Sequence, residues 1–131
     1  MRSLLFVSLI CVLLTACNSL PNEDQLAQQD YGTYPKNHEL IIKAWYNKTE
    51  SHPTSIYINY ITKPKRYWLA NKLGDAWFGY LVCVTIDSKN RLGAYSGFRR
   101  DAFIIKNDHV IKYIADGSWW GEKLCKGDET N

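Results

Sequence analysis

The segment from Ala76 to Asp87, AWFGYLVCVTID, constrains the fold more than any other part of this 131-residue chain. It is rich in aromatic and β-branched side chains and leads into a turn sequence, which is typical of a long strand. Because side chains alternate across a strand, one face carries Phe78, Tyr80, Val82, Val84 and Ile86, and the other carries Trp77, Gly79, Leu81, Cys83 and Thr85. Because Cys83 lies on the second face, we expect the C-terminal segment to cross that face, with Trp119 and Trp120 over Leu81.

The rest of the chain predicts one helix and three further strands. Asn37 can cap a helix that ends near Thr49, and its apolar residues at helical spacing are Leu40, Ile41, Ala44 and Trp45. Strands are predicted at 55–62, at 94–106 with a bend near Gly97, and at 110–114, whereas 63–75 is predicted to be a basic loop. The sequence therefore predicts an α+β domain with one N-terminal helix packed on a small antiparallel sheet of about four strands.

The first 16 residues have the pattern of an export signal. A positive start at Met1 and Arg2 precedes an apolar run, Leu4 to Leu14, that is too short for a conventional membrane helix. The stretch that follows, LTAC, ends at Cys17 and resembles the lipobox of bacterial lipoproteins. This resemblance implies that the signal is cut before Cys17, that its thiol carries diacylglycerol and that the new amine is acylated. An ordinary signal peptide with a chance cysteine is the alternative.

Lipidation at Cys17 predicts a stable membrane anchor, because two or three acyl chains hold a protein on a bilayer whereas one does so only marginally. The next residue is Asn18 rather than Asp. By resemblance to the sorting rule of enterobacterial lipoproteins, this implies the outer membrane, with the domain in the periplasm or at the cell surface.

Export also changes the expected state of the other cysteines. Cys11 leaves with the signal, so Cys83 and Cys125 remain as a pair in an oxidising compartment. A bridge between them closes a loop of about 43 residues, which stabilises the fold by roughly 4 kcal/mol on the chain-entropy relation. A metal site is the alternative, but no further ligands stand near the pair at metal-binding spacing. We therefore predict one disulfide.

The stretch after Cys17 is polar and lacks a long apolar period, which indicates a tether. The sequence predicts a signal peptide at 1–16, a lipidated tether at 17–35 and a globular α+β domain at 36–131.

Four segments of the domain follow one another in a characteristic order: YGTYPKNHELIIKAW, HPTSIYI, FGYLVCVTIDSKNRLGAYSGFRRDAFII and NDHVI. This order resembles a group of small exported proteobacterial domains with the pattern Y-P-x-N-x-E, D-P-x-S, G-Y-x-V and N-x-K-N-x-x-G-x-Y-x-G. The resemblance covers roughly residues 31 to 114. The chain departs from it at His52 and Asp87, where Asp and Asn are usual, and at Leu92 and Ala94, which replace an aromatic residue and Gly. The resemblance implies an exported domain and no particular mechanism.

Basic and aromatic residues alternate in one segment and predict a possible binding patch, composed of Lys63, Lys65, Arg66, Tyr67 and Trp68, with Arg99 and Arg100 as a second cluster. Cations beside aromatic rings suit lipid phosphates, sugars or protein partners. A solvated loop whose aromatic rings pack on the sheet is the alternative. Nucleic acid is not an expected partner, because the net charge is only +3 and the envelope separates the domain from it.

The sequence shows no catalytic or metal-binding constellation. His38, His52 and His109 lack metal-ligand spacing, and Ser96 lies outside a G-x-S-x-G motif. Asp87, Asn90 and Gly93 predict a structural turn, with a small ligand or ion site as the alternative, although their spacing is not that of an EF-hand. We therefore expect no enzyme, cofactor or metal.

Three function classes follow from these observations. The first is a non-enzymatic binding role, as an accessory subunit of an envelope secretion or assembly machine. The second is an exclusion or inhibitor lipoprotein that acts against phage, conjugation or a hydrolase. The third is an enzyme, although the sequence contains no constellation of residues that indicates catalysis.

Overall fold

The computed structural model describes residues 20–50, 55–90 and 92–126. The predicted export signal, Cys17 and the turn around His52 and Pro53 lie outside these residues. The helices are α1 (Glu23–Ala27) and α2 (His38–Thr49); the strands are β1 (Ile56–Ile61), β2 (Lys65–Ala70), β3 (Ala76–Lys89), β4 (Tyr95–Lys106), β5 (His109–Ile114), β6 (Ser118–Trp119) and β7 (Glu122–Lys123). Within these residues, neither helix has the length and apolarity needed to cross a bilayer.

The main sheet is antiparallel and is built around the long strand β3. On one side of β3, β2 pairs with its first half and β1 with its second half; on the other side follow β4 and then β5. The α+β class and the antiparallel sheet are thus confirmed. The sheet has five strands, however, because part of the predicted basic loop, Lys65–Ala70, is a strand. Its pairing with β3 outweighs the Pro and Gly residues of the segment, which indicated a loop.

Helix α2 covers one face of the sheet, which we call the helix face. Ile42 and Tyr46 pack there against Val82, Val84 and other buried residues of β3 and β4. The predicted helix span is confirmed, and of its predicted apolar residues Ile41 and Trp45 pack on the core; Leu40, however, faces solvent, and Ile42 is buried in its place. Asn37 precedes the helix without a capping bond from its side chain. Tertiary packing on the sheet therefore sets the helix phase.

The C-terminal segment, residues 115–126, crosses the opposite face, which we call the disulfide face. Cys125 forms a disulfide with Cys83 of β3, and Leu124 and Trp119 pack on the cluster around Leu81. This confirms the predicted bridge and the predicted cover for Leu81 by Trp119. The neighbouring Trp120 instead faces solvent. It occupies the turn between β6 and β7.

The packed domain also includes part of the segment assigned to the tether. Tyr31 is buried, its ring meets Phe78 edge to face at 5.8 Å, and the Arg66 guanidinium lies 5.5 Å from the Tyr31 ring centre. Pro35 is fully buried. Further upstream, Asn22 and Gln25 form a reciprocal capping box at the start of α1. The segment is therefore attached to the sheet from Tyr31 onward.

Candidate functional site

Two grooves lie on the disulfide face, one on each side of the C-terminal segment. The larger has a volume of about 720 Å³ and is lined by Asn59, Thr85, Phe98, Arg99, Arg100, Asp116, Lys123, Cys125 and Lys126. The smaller has a volume of about 530 Å³ and is lined by Lys65, Tyr67, Glu122, Lys123, Leu124 and Lys126. Lys123 and Lys126 line both, so the grooves are neighbours with a common wall, and we call the pair the cationic grooves.

Positive charge dominates this surface. Its cationic side chains are Lys65, Arg100, Lys123 and Lys126, and its carboxylates are Asp116 and Glu122; Arg99 also lines the larger groove, but its guanidinium pairs with the buried Asp101. A concave surface lined mainly by one sign of charge concentrates counter-charged ligands. The geometry therefore favours an anionic ligand.

The C-terminal segment is fixed in place between the two grooves. The disulfide joins it to β3, and Arg100 Nη1 of β4 donates to the Lys126 carbonyl at 2.8 Å. Within the segment, Lys123 Nζ contacts Asp116 Oδ2 at 2.9 Å. The walls of the grooves are thus held by covalent and hydrogen-bonded contacts, so a ligand meets a preformed surface.

A buried carboxylate lies beneath the edge of the larger groove. Asp101 is fully buried. Its Oδ2 accepts from the hydroxyls of Tyr46 (2.7 Å) and Tyr113 (2.8 Å), and its Oδ1 accepts from Arg99 Nε and the Asp116 backbone N–H, both at 3.0 Å. One charged group thereby connects α2, β4, β5 and the start of the C-terminal segment.

The tyrosines of this network titrate abnormally. Burial raises the pKa of Tyr46 and of Tyr113 above the usual tyrosine range, and the charge of Asp101 and the hydrogen bond to it raise both further. Both hydroxyls therefore stay protonated and keep donating to Asp101. A carboxylate that accepts hydrogen bonds from four residues positions the surrounding elements, and we assign Asp101 a structural role.

The structure divides the patch predicted from sequence between the two faces. In β2, Lys65 and Tyr67 lie on the disulfide face and line the smaller groove. Arg66 and Trp68 lie on the helix face, where Trp68 stacks on Phe78. Lys63 is exposed between β1 and β2.

The two arginines of β4 also point differently. Arg100 pairs opposite Thr85 on the disulfide face, whereas the Arg99 side chain reaches Asp101. Burial opposes the charged form of Arg99, but its hydrogen bond and charge interaction with Asp101 raise its pKa further. The structure thus brings Lys65, Tyr67 and Arg100 to one surface and separates them from Arg66 and Trp68.

Sequence reasoning missed several residues of the grooves, among them Lys123, Lys126 and Phe98. A signal for the lysines was present, because they flank Cys125 and the predicted bridge to Cys83 already placed that segment on the disulfide face. Phe98 carried no such signal, since its position depends on the register between β3 and β4.

Other candidate sites show structural roles. Asn90 Oδ1 accepts from the backbone N–H groups of Leu92 and Ala94, and Gly93 has φ +79°, as a structural turn requires. Asp87 lies within β3, and its Oδ1 is buried without a hydrogen-bond partner in the described part of the chain. Across residues 20–50, 55–90 and 92–126, no three His, Cys, Asp or Glu side chains come together as a metal site. His38 contacts the Pro35 carbonyl and His109 begins β5.

Comparison of the chain with models of protein families, with curated proteins and with solved structures finds no significant match.

Proposed function

We propose that this chain is a lipid-anchored protein of the bacterial outer membrane whose domain binds an acidic, extended segment of another envelope protein. The observation that carries the binding role is the excess of cations over carboxylates along the cationic grooves. The lipobox at Cys17 supports the anchor, and the disulfide is of the kind that exported domains carry. The role is non-enzymatic and fits an accessory subunit of a secretion or assembly machine.

An extended protein segment suits the shape of this surface. The two grooves share Lys123 and Lys126 as a common wall, so one extended segment that crosses the C-terminal segment can contact both. Phe98 offers an exposed apolar contact beside the cations of the larger groove. Charge would determine the rate and specificity of association, and the aromatic ring would contribute affinity once water is displaced.

An exclusion or inhibitor lipoprotein remains the second candidate. Inhibition of a basic hydrolase such as a lysozyme requires an acidic surface, whereas these grooves are basic. If the protein is an inhibitor, its target is therefore acidic, and such a target would bind at the cationic grooves.

Site-specific photocrosslinking in living cells tests the binding role. A photoreactive phenylalanine at Phe98 is compared with the same residue at Leu40, since both positions are 66% exposed but lie in the larger groove and on the outer side of α2, respectively. We expect an adduct from position 98 only, with the crosslink mapping to an acidic peptide of the partner.

Charge reversal provides the matched control. Lys126→Glu is expected to lower the adduct yield about tenfold or more, because like charges across an interface are strongly unfavourable. Lys36→Glu, at an exposed position outside the grooves, is expected to leave the yield unchanged. Equal adducts from positions 98 and 40, or an adduct insensitive to Lys126→Glu, contradict the proposed site.

A further inference from the structure

Two neighbouring turns at one end of the sheet expose large apolar side chains. Leu73 lies in the β2–β3 turn and is 88% exposed. The turn is ordered by Asn71, whose Oδ1 accepts from the backbone N–H groups of Leu73 and Asp75, both at 2.9 Å. Leu73 is therefore held outward by a well-defined turn.

Trp120 occupies the turn between β6 and β7 and is 62% exposed. Its φ of +49° is a conformation that bulky residues rarely adopt. Lys72 Nζ lies 5.1 Å from its ring centre, and the neighbouring Trp119 donates from Nε1 to the Ala70 carbonyl at 3.0 Å. These contacts hold the β6–β7 turn beside the β2–β3 turn. We call the surface formed by Leu73 and Trp120 the apolar tip. A strained, exposed tryptophan next to an exposed leucine indicates a contact surface.

The N-terminal segment approaches the domain at the same end of the sheet. Lys106 Nζ lies 3.6 Å from Asp30 Oδ2, and the Thr33 N–H donates to Asn107 Oδ1 at 3.4 Å. The β4–β5 turn that contains Asn107 lies at the Ala76 end of β3, as does the β2–β3 turn. Asp30 lies 13 positions after Cys17, and α1 shortens the stretch between them. A lipid at Cys17 would therefore attach the domain to the bilayer from this end of the sheet.

We propose that the apolar tip inserts into the phospholipid interface of the membrane and orients the anchored domain. Tryptophan is enriched at the depth of lipid headgroups, and leucine favours the acyl boundary below it. The orientation of the domain rests on the proposed anchor at Cys17, whereas the affinity of the apolar tip for a phospholipid bilayer does not. The β3–β4 turn, at the other end of β3, then points away from the membrane.

Charges near the tip are mixed. Lys72 and Lys112 are accompanied by Asp75, Glu122 and, in the β4–β5 turn, Asp108. Lys112 Nζ also lies over the rings of Trp77 and Trp119, at 4.4 and 4.9 Å from their centres. Insertion is therefore driven by apolar burial, and it depends only weakly on salt. This distinguishes the tip from the cationic grooves, where binding is salt-sensitive.

The chain contains a matched control turn. Leu92 lies in the β3–β4 turn and is 92% exposed, and Asn90 orders this turn with the same side-chain bonds that Asn71 makes. Gly74 and Gly93 follow the two leucines with positive φ. The two turns are thus alike in chemistry and lie at opposite ends of the sheet.

Vesicles of phosphatidylethanolamine and phosphatidylglycerol test the proposal with a chain that starts at Asn18, so that it lacks Cys17 and keeps every described residue. A polarity-sensitive nitrobenzoxadiazole label is attached to Leu73→Cys or to Leu92→Cys. We expect a blue shift and a gain in emission on adding vesicles at position 73 and no change at position 92. Because this chain carries no acyl chains, the outcome does not depend on lipidation at Cys17. Lipidation is tested separately, by the mass of the mature protein.

Trp120→Asn provides a second readout, since asparagine accepts positive φ and the folded domain should not lose stability. We expect this variant to partition into the vesicles about tenfold less, because it lacks the large apolar side chain that the membrane would bury. Equal emission at positions 73 and 92 at every lipid concentration overturns the proposal. So does binding that high salt abolishes and Trp120→Asn leaves unchanged. An adduct of the tip with a protein in cells, without a lipid-induced shift, indicates a protein partner instead.

Discussion

Replacing Asp101 with alanine is expected to lower the free energy of unfolding by about 3 kcal/mol. The substitution leaves Tyr46 buried with a hydroxyl that has lost its acceptor, and it removes the carboxylate from Arg99. Removal of one partner from a buried charged pair costs about 3–5 kcal/mol, and the lower end applies because the Arg99 side chain is partly exposed to water. The total free energy of unfolding of a small domain is about 5–15 kcal/mol, so this loss is a large fraction of the stability.

Urea unfolding followed by tryptophan fluorescence measures this loss. Asp116→Asn is the matched control, because the Asp116 side chain is exposed and contacts only Lys123 among the described residues, and an exposed ion pair contributes no more than about 1 kcal/mol. A change below about 1 kcal/mol for Asp101→Ala would show that the network around Asp101 is not a stabilising centre of the fold.

The same network predicts how stability depends on alkaline pH. The pKa of Tyr46 is raised in the folded state, mainly by burial and then by the charge of Asp101, so the stability linked to it is fully present below the ordinary tyrosine pKa near 10. Above that pH the unfolded chain loses a proton that the folded domain keeps, and the free energy of unfolding falls by about 1.4 kcal/mol per pH unit for each such tyrosine. Tyr46→Phe is expected to reduce this slope relative to wild type, and an unchanged slope would exclude Tyr46 as its source.

Reduction of the disulfide is expected to cost about 4 kcal/mol of stability, from the chain entropy that the bridge removes in the unfolded state. Cys83 and Cys125 are 42 positions apart, so the bridge closes a long loop. The bridge also attaches the C-terminal segment to β3. That segment carries Lys123 and Lys126, which line both cationic grooves. Loss of the bridge should therefore weaken the binding surface as well as the fold.

Urea unfolding of wild type with and without reductant measures this effect, and the double variant Cys83→Ala, Cys125→Ala under oxidising conditions separates it from effects of the reductant itself. Both comparisons should show the same loss. The bridge would have no stabilising role if the midpoint stayed constant while thiol titration confirmed complete reduction.

The elements that the sequence predicted correctly are those in which local pattern and tertiary packing agree. Both faces of β3 carry apolar side chains. The helix face is buried under α2 and the disulfide face under the C-terminal segment. In α2 the span and the packing of Ile41 and Trp45 were predictable, but the choice between Leu40 and Ile42 was not, because both are apolar and only the sheet selects between them. β2 was missed because the Pro and Gly residues around it indicated a loop, and pairing with β3 determines its conformation.

The candidate site was predictable only in part, for the same physical reason. A run of basic and aromatic residues such as Lys65 to Trp68 indicates one patch when it is taken as a loop, but a strand sends alternate side chains to opposite faces. The cationic grooves depend on contacts between distant segments, such as that of Arg100 with Lys126. Apart from the cysteine pair, which places the segment around Cys125 on the disulfide face, the sequence contains no signal for those contacts.

The intact mass and N-terminal peptide of the mature protein, extracted from the outer membrane, test the proposed anchor most directly. We expect a chain that begins at Cys17 and carries diacylglycerol on its thiol and a further acyl chain on its amine. A mature chain with an unmodified Cys17, or one cut at another position and recovered from the soluble periplasm, would contradict the lipid anchor and the membrane orientation derived from it.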